Sequence, residues 1–213
     1  MAAHPPPLDR QSQVVSDAAQ SFTEAYYDAL NKRHSLAPFY SSTSNLLTTA
    51  GVKPDISVNG QMLESVAAFE ALLDKQGKPV HYDVHLFDAQ PVNPNYGMGC
   101  PESLLPDDAA GGGPGGGKAR NAKSVRDGDR ISFVVTVSGM VRYGKGSPNG
   151  NAAAAAANTA AAGTDAAAAP VDGPIEKGFT ESWLLVPHWE ALGRNAGRGL
   201  RKWVVVSQNF RAL

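Results

Sequence analysis

Three residues in the middle of the chain, His81, Asp83 and His85, fall at every second position of the segment "VHYDVHLFDAQPV" (80–92). On a strand they share one face, and two imidazoles with a carboxylate are metal ligands by type. Their spacing argues against that use. Same-face neighbours along a strand stand roughly 7 Å apart, so three in a row do not converge on one ion. A polar strand surface facing a partner or solvent is expected, with no metal and no cofactor. Glu181 is the one charge inside the strand patterns "FVVTV", "WLLV" and "WVVVS" and their surroundings. General acid–base chemistry would need further polar groups beside it. The positions predicted to share its side of a sheet, Tyr82, Val84, Leu86, Phe133, Val135, Val137, Trp183 and Leu185, offer none; only Gln208 and Asp88 could add one. Glu181 is expected to bond a tyrosine or the Trp183 N–H, or to sit at a rim, and no catalytic residue is assigned. The run "GGGPGGGK" (111–118) lacks the Gly-Lys-Ser/Thr ending of a phosphate loop, and no strand leads directly into it. Two clusters carry four cations each and no acid: Lys118, Arg120, Lys123 and Arg126, then Arg194, Arg198, Arg201 and Lys202. Such loops can hold RNA through phosphate contacts without reading sequence. Solubilising charge is the equally open alternative.

The whole chain bounds these readings. It has 213 residues, 42% hydrophobic and 18% charged, with a formal net charge of −1. That length suits one domain with a real core, or two small ones. A near-zero charge gives no global pull toward nucleic acid or membrane. The single cysteine, Cys100, excludes an internal disulfide framework and a Cys-rich zinc site. No apolar run approaches the roughly 20 residues of a membrane helix, and the first residues lack the apolar stretch of a secretory signal. An intracellular protein is expected.

The elements that must position these residues follow from periodicity. Segment 12–33 puts Val15, Ala18, Phe22, Tyr26 and Ala29 on one helical face, with Ser12 as N-cap. Segment 35–40 reads as a short helix or turn, and 45–60 as a hairpin with Asn59-Gly60 as its turn signal. A third helix is predicted over 61–77, with Met62, Val66, Phe69 and Leu73 as its stripe and Gly77 as its stop. Strands are predicted at 80–92, 130–143, 178–189 and 202–210. Helices followed by strands argue α+β, with an antiparallel sheet and helices on one face. Segments 97–124 and 144–174 are Gly-, Pro- and Ala-rich and read as mobile insertions in a single domain spanning 1–213. The strands carry apolar or small neutral residues on both faces, yet three helices cover only one. A partner chain is the leading cover for the other face. The chain's own loops, a ligand, or a neutral hydrated face are the alternatives, and the Gly/Ala-rich loops make a poor lid.

Taken in order, "SFTEAYYDALNKRHSLAPFY", "HYDVHLFDAQPV", "GFTESWLLVP" and "WVVVSQNFR" resemble the nuclear transport factor 2-like family. That resemblance implies a cone-shaped α+β fold, with three N-terminal helices packed on one face of a strongly curved antiparallel sheet. Within the family, the ending "KWVVVSQNFRAL" and the long insertions look like the small-subunit branch of the heterodimeric messenger-RNA export receptors. This likeness implies a non-enzymatic subunit in the nucleus and at the nuclear pore, shuttling to the cytoplasm. It would pair sheet to sheet with a related domain of the large subunit, meet nucleoporins through the complex, and support RNA or ribonucleoprotein cargo. It further implies a partner interface at Thr136, Ser138, Thr180, Ser182, Leu184, Val205, Ser207, Asn209 and Arg211, with Arg211 opposite an acid of the large subunit. Val204, Val206 and Phe210 would face the helices. Two alternatives within the same fold are a homodimeric carrier of Ran in its GDP form and an isomerase or dehydratase using the cone cavity. The first is weakened by 144–174, whose only acids are Asp165 and Asp172.

Overall fold

In the computed structural model, residues 5–76, 79–104, 127–144, 175–193 and 196–213 are described. Helix α1 (Leu8–Lys32) begins four residues before the predicted Ser12 cap. Pro7 takes that place, and its carbonyl accepts from the Gln11 N–H at 2.9 Å. Proline suits this position because a helix start has no use for its missing N–H. The predicted stripe is buried at Val15, Phe22, Tyr26 and Ala29, with Ala19 rather than Ala18 completing it. Two 3₁₀ turns, Ala37–Phe39 and Ser41–Thr43, lead into a short helix α2 (Asn45–Thr49) where a strand was expected. The Ser44 side chain caps it by accepting from the Leu47 N–H. The hairpin comes later: β1 (Asp55–Val58) and β2 (Gln61–Leu63) flank Asn59-Gly60. Asn59 has φ 51° and Gly60 φ 84°, the paired left-handed residues that a tight two-residue hairpin needs. The predicted third helix loses its first turn to β2. Met62 pairs with Ser57 and is exposed, and α3 (Val66–Lys75) starts after the Ser65 cap. The predicted stop at Gly77 lies outside the described residues.

Four long strands follow: β3 (Val80–Asn93), β4 (Ser132–Tyr143), β5 (Ile175–Pro187) and β6 (Trp203–Ala212). The six strands form one sheet in the order β2-β1-β6-β5-β4-β3. It is not purely antiparallel as expected: β1 runs parallel to β6. The intervening chain crosses from one end of the sheet to the other, which permits that pairing. Gly139 is required where β3 and β4 cross closely. A Cβ there would lie 2.0 Å from the Asp83 carbonyl oxygen.

Two apolar clusters lie on opposite sides of this sheet. The larger joins α1, α3 and the inward residues Tyr82, Phe133, Val135, Val137, Phe179, Trp183, Leu185, Val205 and Phe210. The smaller holds Leu47, Val186, Trp189 and Val204. Since Leu185 and Val205 belong to the first, their neighbours Val186 and Val204 point the other way.

Candidate partner-binding face

Two bulges decide which residues reach the outer face. On β6, Leu184 pairs with Ser207 and Leu185 with Val205, so Val206 is an extra residue opposite nothing. A bulge flips the alternation beyond it. Ser207, Asn209 and Arg211 therefore point outward, as expected, while Gln208 and Phe210 point inward and are buried. Before the bulge the expectation reverses. Val205 is fully buried on the helix side and is not an interface residue; Val204 and Val206 lie on the outer side, against the smaller cluster. On β3, Val84 pairs with Gly139 and Leu86 with Ser138, leaving His85 as the extra residue. Leu86, expected to face the helices, is instead 65% exposed beside outward Ser138.

The open part of the face is continuous across four strands. Thr136, Ser182 and Asn209 lie side by side in register, as do Leu86, Ser138, Thr180 and Arg211, with Leu184 and Ser207 forming the next pair toward the roofed end. Thr136 and Ser182 share a hydrogen bond between hydroxyls at 3.3 Å. Thr136, Thr180, Asn209 and Arg211 are exposed; Val134, Ser138, Met140, Ser182, Leu184 and Ser207 are half-buried. The centre is thus a field of hydroxyls between apolar patches, with charges kept to its margin at Arg211, Asp83 and Asp88. The depletion of charge at its centre matches the middle of a protein interface, although hydroxyls stand where an interface core is usually more apolar.

The chain does roof one end of this face, contrary to the expectation that its loops make a poor lid. Leu46 and Leu47 of α2, Tyr96, Cys100, Leu104 and the turn Trp189–Leu192 pack on Val186, Val204 and Val206. Specific polar contacts hold that roof. Trp189 Nε1 donates to the Met98 carbonyl at 2.8 Å. Arg130, 2% exposed, donates to the Tyr96 and Leu104 carbonyls at 3.2 and 3.0 Å and lies over the Trp189 ring. Glu190 accepts from the Ser44 hydroxyl at 2.7 Å and from the Leu46 N–H at 3.0 Å, anchoring α2. Residues 97–104, inside the first expected insertion, are thereby built into the fold; 105–126 and 145–174 lie outside the described residues.

On the helix side, Glu181 sits in a closed polar network, as expected of a carboxylate bonded to tyrosine. Tyr27 donates to its Oε2 at 2.5 Å and Gln208 Nε2 to its Oε1 at 2.5 Å. Gln208 also donates to the Tyr26 hydroxyl at 3.0 Å and accepts from Tyr40. Burial pushes the Glu181 carboxyl up to about 7 against the opposing pull of those hydrogen bonds. Burial, and then the charge of Glu181, push Tyr26 and Tyr27 well above the usual phenol value. Asp88 stays outside, exposed beside Thr136. The cavity bordered by Glu181, Leu30, Phe69, Leu73, Tyr82 and Phe210 measures only about 10 Å³, room for about one water.

The remaining candidates divide. His81, Asp83 and His85 all point outward, with His85 and Asp83 3.6 Å apart, and among the described residues no three potential ligands are placed to hold a metal. Of the cations, Arg198 is exposed. Arg201 stacks on the Phe39 ring at 3.6 Å, and Lys202 pairs with Asp129 at 2.5 Å. Lys118, Arg120, Lys123, Arg126 and Arg194, with Asp165 and Asp172, lie outside the described residues. Both bulges and the roof escaped sequence reading. Only the roof left a signal there: Trp189 and the second apolar run of "WLLVPHW", which strict alternation cannot place on one face.

No protein-family model matches the chain, and no curated protein matches it. Solved structures do. A structure of Mtr2 aligns with 93% of this chain and 99% of its own, at 25% identity and a TM-score of 0.66. A chain from the Chaetomium thermophilum complex of the Mex67 NTF2-like domain with Mtr2 aligns at 28% identity and TM-score 0.68, covering 93% and 98%. One from a Mex67:Mtr2 complex carrying a Sac3N peptide gives 26% identity and TM-score 0.69, covering 93% and 99%.

Proposed function

We propose that this chain, Mtr2-like along nearly its whole length and nuclear transport factor 2-like in fold, is the small subunit of a heterodimeric nuclear messenger-RNA export receptor. Its partner is a Mex67-type large subunit, whose NTF2-like domain covers the open outer face. The observation that carries this reading is that face: hydroxyl-rich at the centre, apolar around it, roofed by its own chain at one end only. The solved relatives, described as complexes of Mex67 with Mtr2, supply the partner's identity. A non-enzymatic role is supported by the filled cone, where both Glu181 oxygens are already engaged and the cavity has no room for a substrate. The single-domain organisation over 1–213, residence in the nucleus and at the pore, contact with nucleoporins through the complex, and RNA or ribonucleoprotein cargo belong to the same proposal. So does the interface set Thr136, Ser138, Thr180, Ser182, Leu184, Ser207, Asn209 and Arg211, now without Val205.

Co-expression with a Mex67-type NTF2-like domain tests it. A one-to-one complex is expected by size exclusion with light scattering. Ser182→Arg at the centre of the face, or Arg211→Glu at its margin, should weaken pairing about tenfold or more, roughly 1.4 kcal/mol. The thermal midpoint of the free chain should stay unchanged, because both side chains point away from the core. A lone chain that never pairs, or pairing indifferent to both variants, refutes the proposal.

A further inference from the structure

The helix side carries a groove that the partner face does not involve. It lies between the N-terminal half of α1 and residues 199–203, the approach to β6, and encloses about 580 Å³. Its floor is the buried Phe22 and the half-buried Trp203, its wall Val14 and Ala18, and its rim Leu200, 41% exposed. Three cations line it, Arg10, Arg201 and Lys202, against two carboxylates, Asp17 and Asp127, and exposed Arg198 stands two residues from Leu200.

Arg201 is the groove-lining residue with a buried nitrogen that has no hydrogen-bond partner among the described residues. One face of its guanidinium lies on Phe39, and its Nε is buried without a hydrogen-bond partner. Burial lowers its pKa. The guanidinium of Arg201 lines the groove, where a carboxylate can meet its outer edge as a charge-assisted hydrogen bond. Arg10 bonds Gln13 on its own helix, an exposed contact that a stronger acceptor can displace.

We infer that this groove docks a short segment of a partner protein that lays an apolar side chain on the Phe22–Trp203 floor and sets a carboxylate against Arg201 and Arg10. A protein segment fits better than RNA. Asp17 and Asp127 within the lining repel a continuous phosphate backbone, whereas one or two carboxylates need only the Arg side of the groove. The site faces away from the sheet's outer surface, so a docked segment and a large subunit do not compete.

The test uses the full chain in complex with its large subunit, or alone where it is stable. The probe is a fluorescein-labelled peptide containing Asp-Leu-Phe-Glu, read by anisotropy. The expected result is saturable binding, weakened about tenfold when the acids are replaced by lysine, and weakened about tenfold by Leu200→Glu or Arg10→Glu. Arg211→Glu on the opposite face should leave it unchanged, which separates this inference from the proposed pairing. No binding, binding indifferent to Leu200→Glu and Arg10→Glu, or displacement of the peptide by a uridine oligonucleotide at equal concentration overturns it.

Discussion

Replacing Glu181 by glutamine should make the protein less sensitive to rising pH, and the size of the effect follows from the site. The carboxyl is 1% exposed, and its pKa stands at about 7 against a usual 4.5. Because the folded-state value is raised, the folded protein holds the proton more tightly than the unfolded chain does. Stability is therefore fully present below about pH 4.5 and is lost as pH rises toward and through 7. A shift of about 2.5 units at 1.36 kcal/mol per unit amounts to about 3 kcal/mol lost between pH 4.5 and 8. Glutamine fits the same network. Its carbonyl accepts from Gln208, and its amide donates to the Tyr27 oxygen once that hydroxyl turns. Urea unfolding of both proteins from pH 4.5 to 8 isolates the difference, since every other titrating group is shared. The wild type should lose about 3 kcal/mol relative to the variant across that range. A pH-independent difference, or one of opposite sign, would show that Glu181 is ionised at no cost and that the reading of this core is wrong.

Three further outcomes can be checked by thermal or urea unfolding. Gly139→Ala drives a methyl into the Asp83 carbonyl 2.0 Å away, backbone that cannot give without parting β3 from β4, and should cost about 3 kcal/mol. Arg130→Met leaves the Tyr96 and Leu104 carbonyls without their donor; about 2 kcal/mol should be lost, and limited proteolysis should cut within 96–104 sooner. Glu190→Ala removes the anchor of α2 at a cost of about 1 kcal/mol. Burial raises the Glu190 carboxyl, but the Leu46 N–H and Ser44 hydroxyl outweigh it and hold the group below its usual value. Its contribution is present above the ordinary carboxylate range and fades as pH falls, so the difference between Glu190→Ala and wild type should shrink in acid.

Element types were largely legible in the sequence, because α1 and the four long strands each have a strong period of their own. What the period could not supply was parity. Counting back from Arg211 in strict alternation puts Val205 outside; the extra residue Val206 puts it inside. A valine carries no mark of being a bulge, since the signal lies in the pairing with Leu184 and Leu185 on another strand. His85 hides the same event on β3, which is why Leu86 was expected inside. Helix α3 was drawn five residues too early because "QML" continues its apolar stripe; pairing with β1 outweighs helix propensity there. The side of the sheet taken by Thr136, Ser138, Thr180 and Ser182 was legible because β4 and β5 pair without a register break.

The roof over Val186 and Val204 sets a limit on what can bind beside it. It leaves four strands open from Gly178 to Leu184, a plot of about 19 by 23 Å at the usual strand spacing and rise. That is about 450 Å², little more than half of the ~800 Å² that each side of a standard complex contributes. A flat slab laid on this plot would hold too loosely. A domain that also reached past Leu86 on one flank and against the roof on the other would bury more than this plot alone offers.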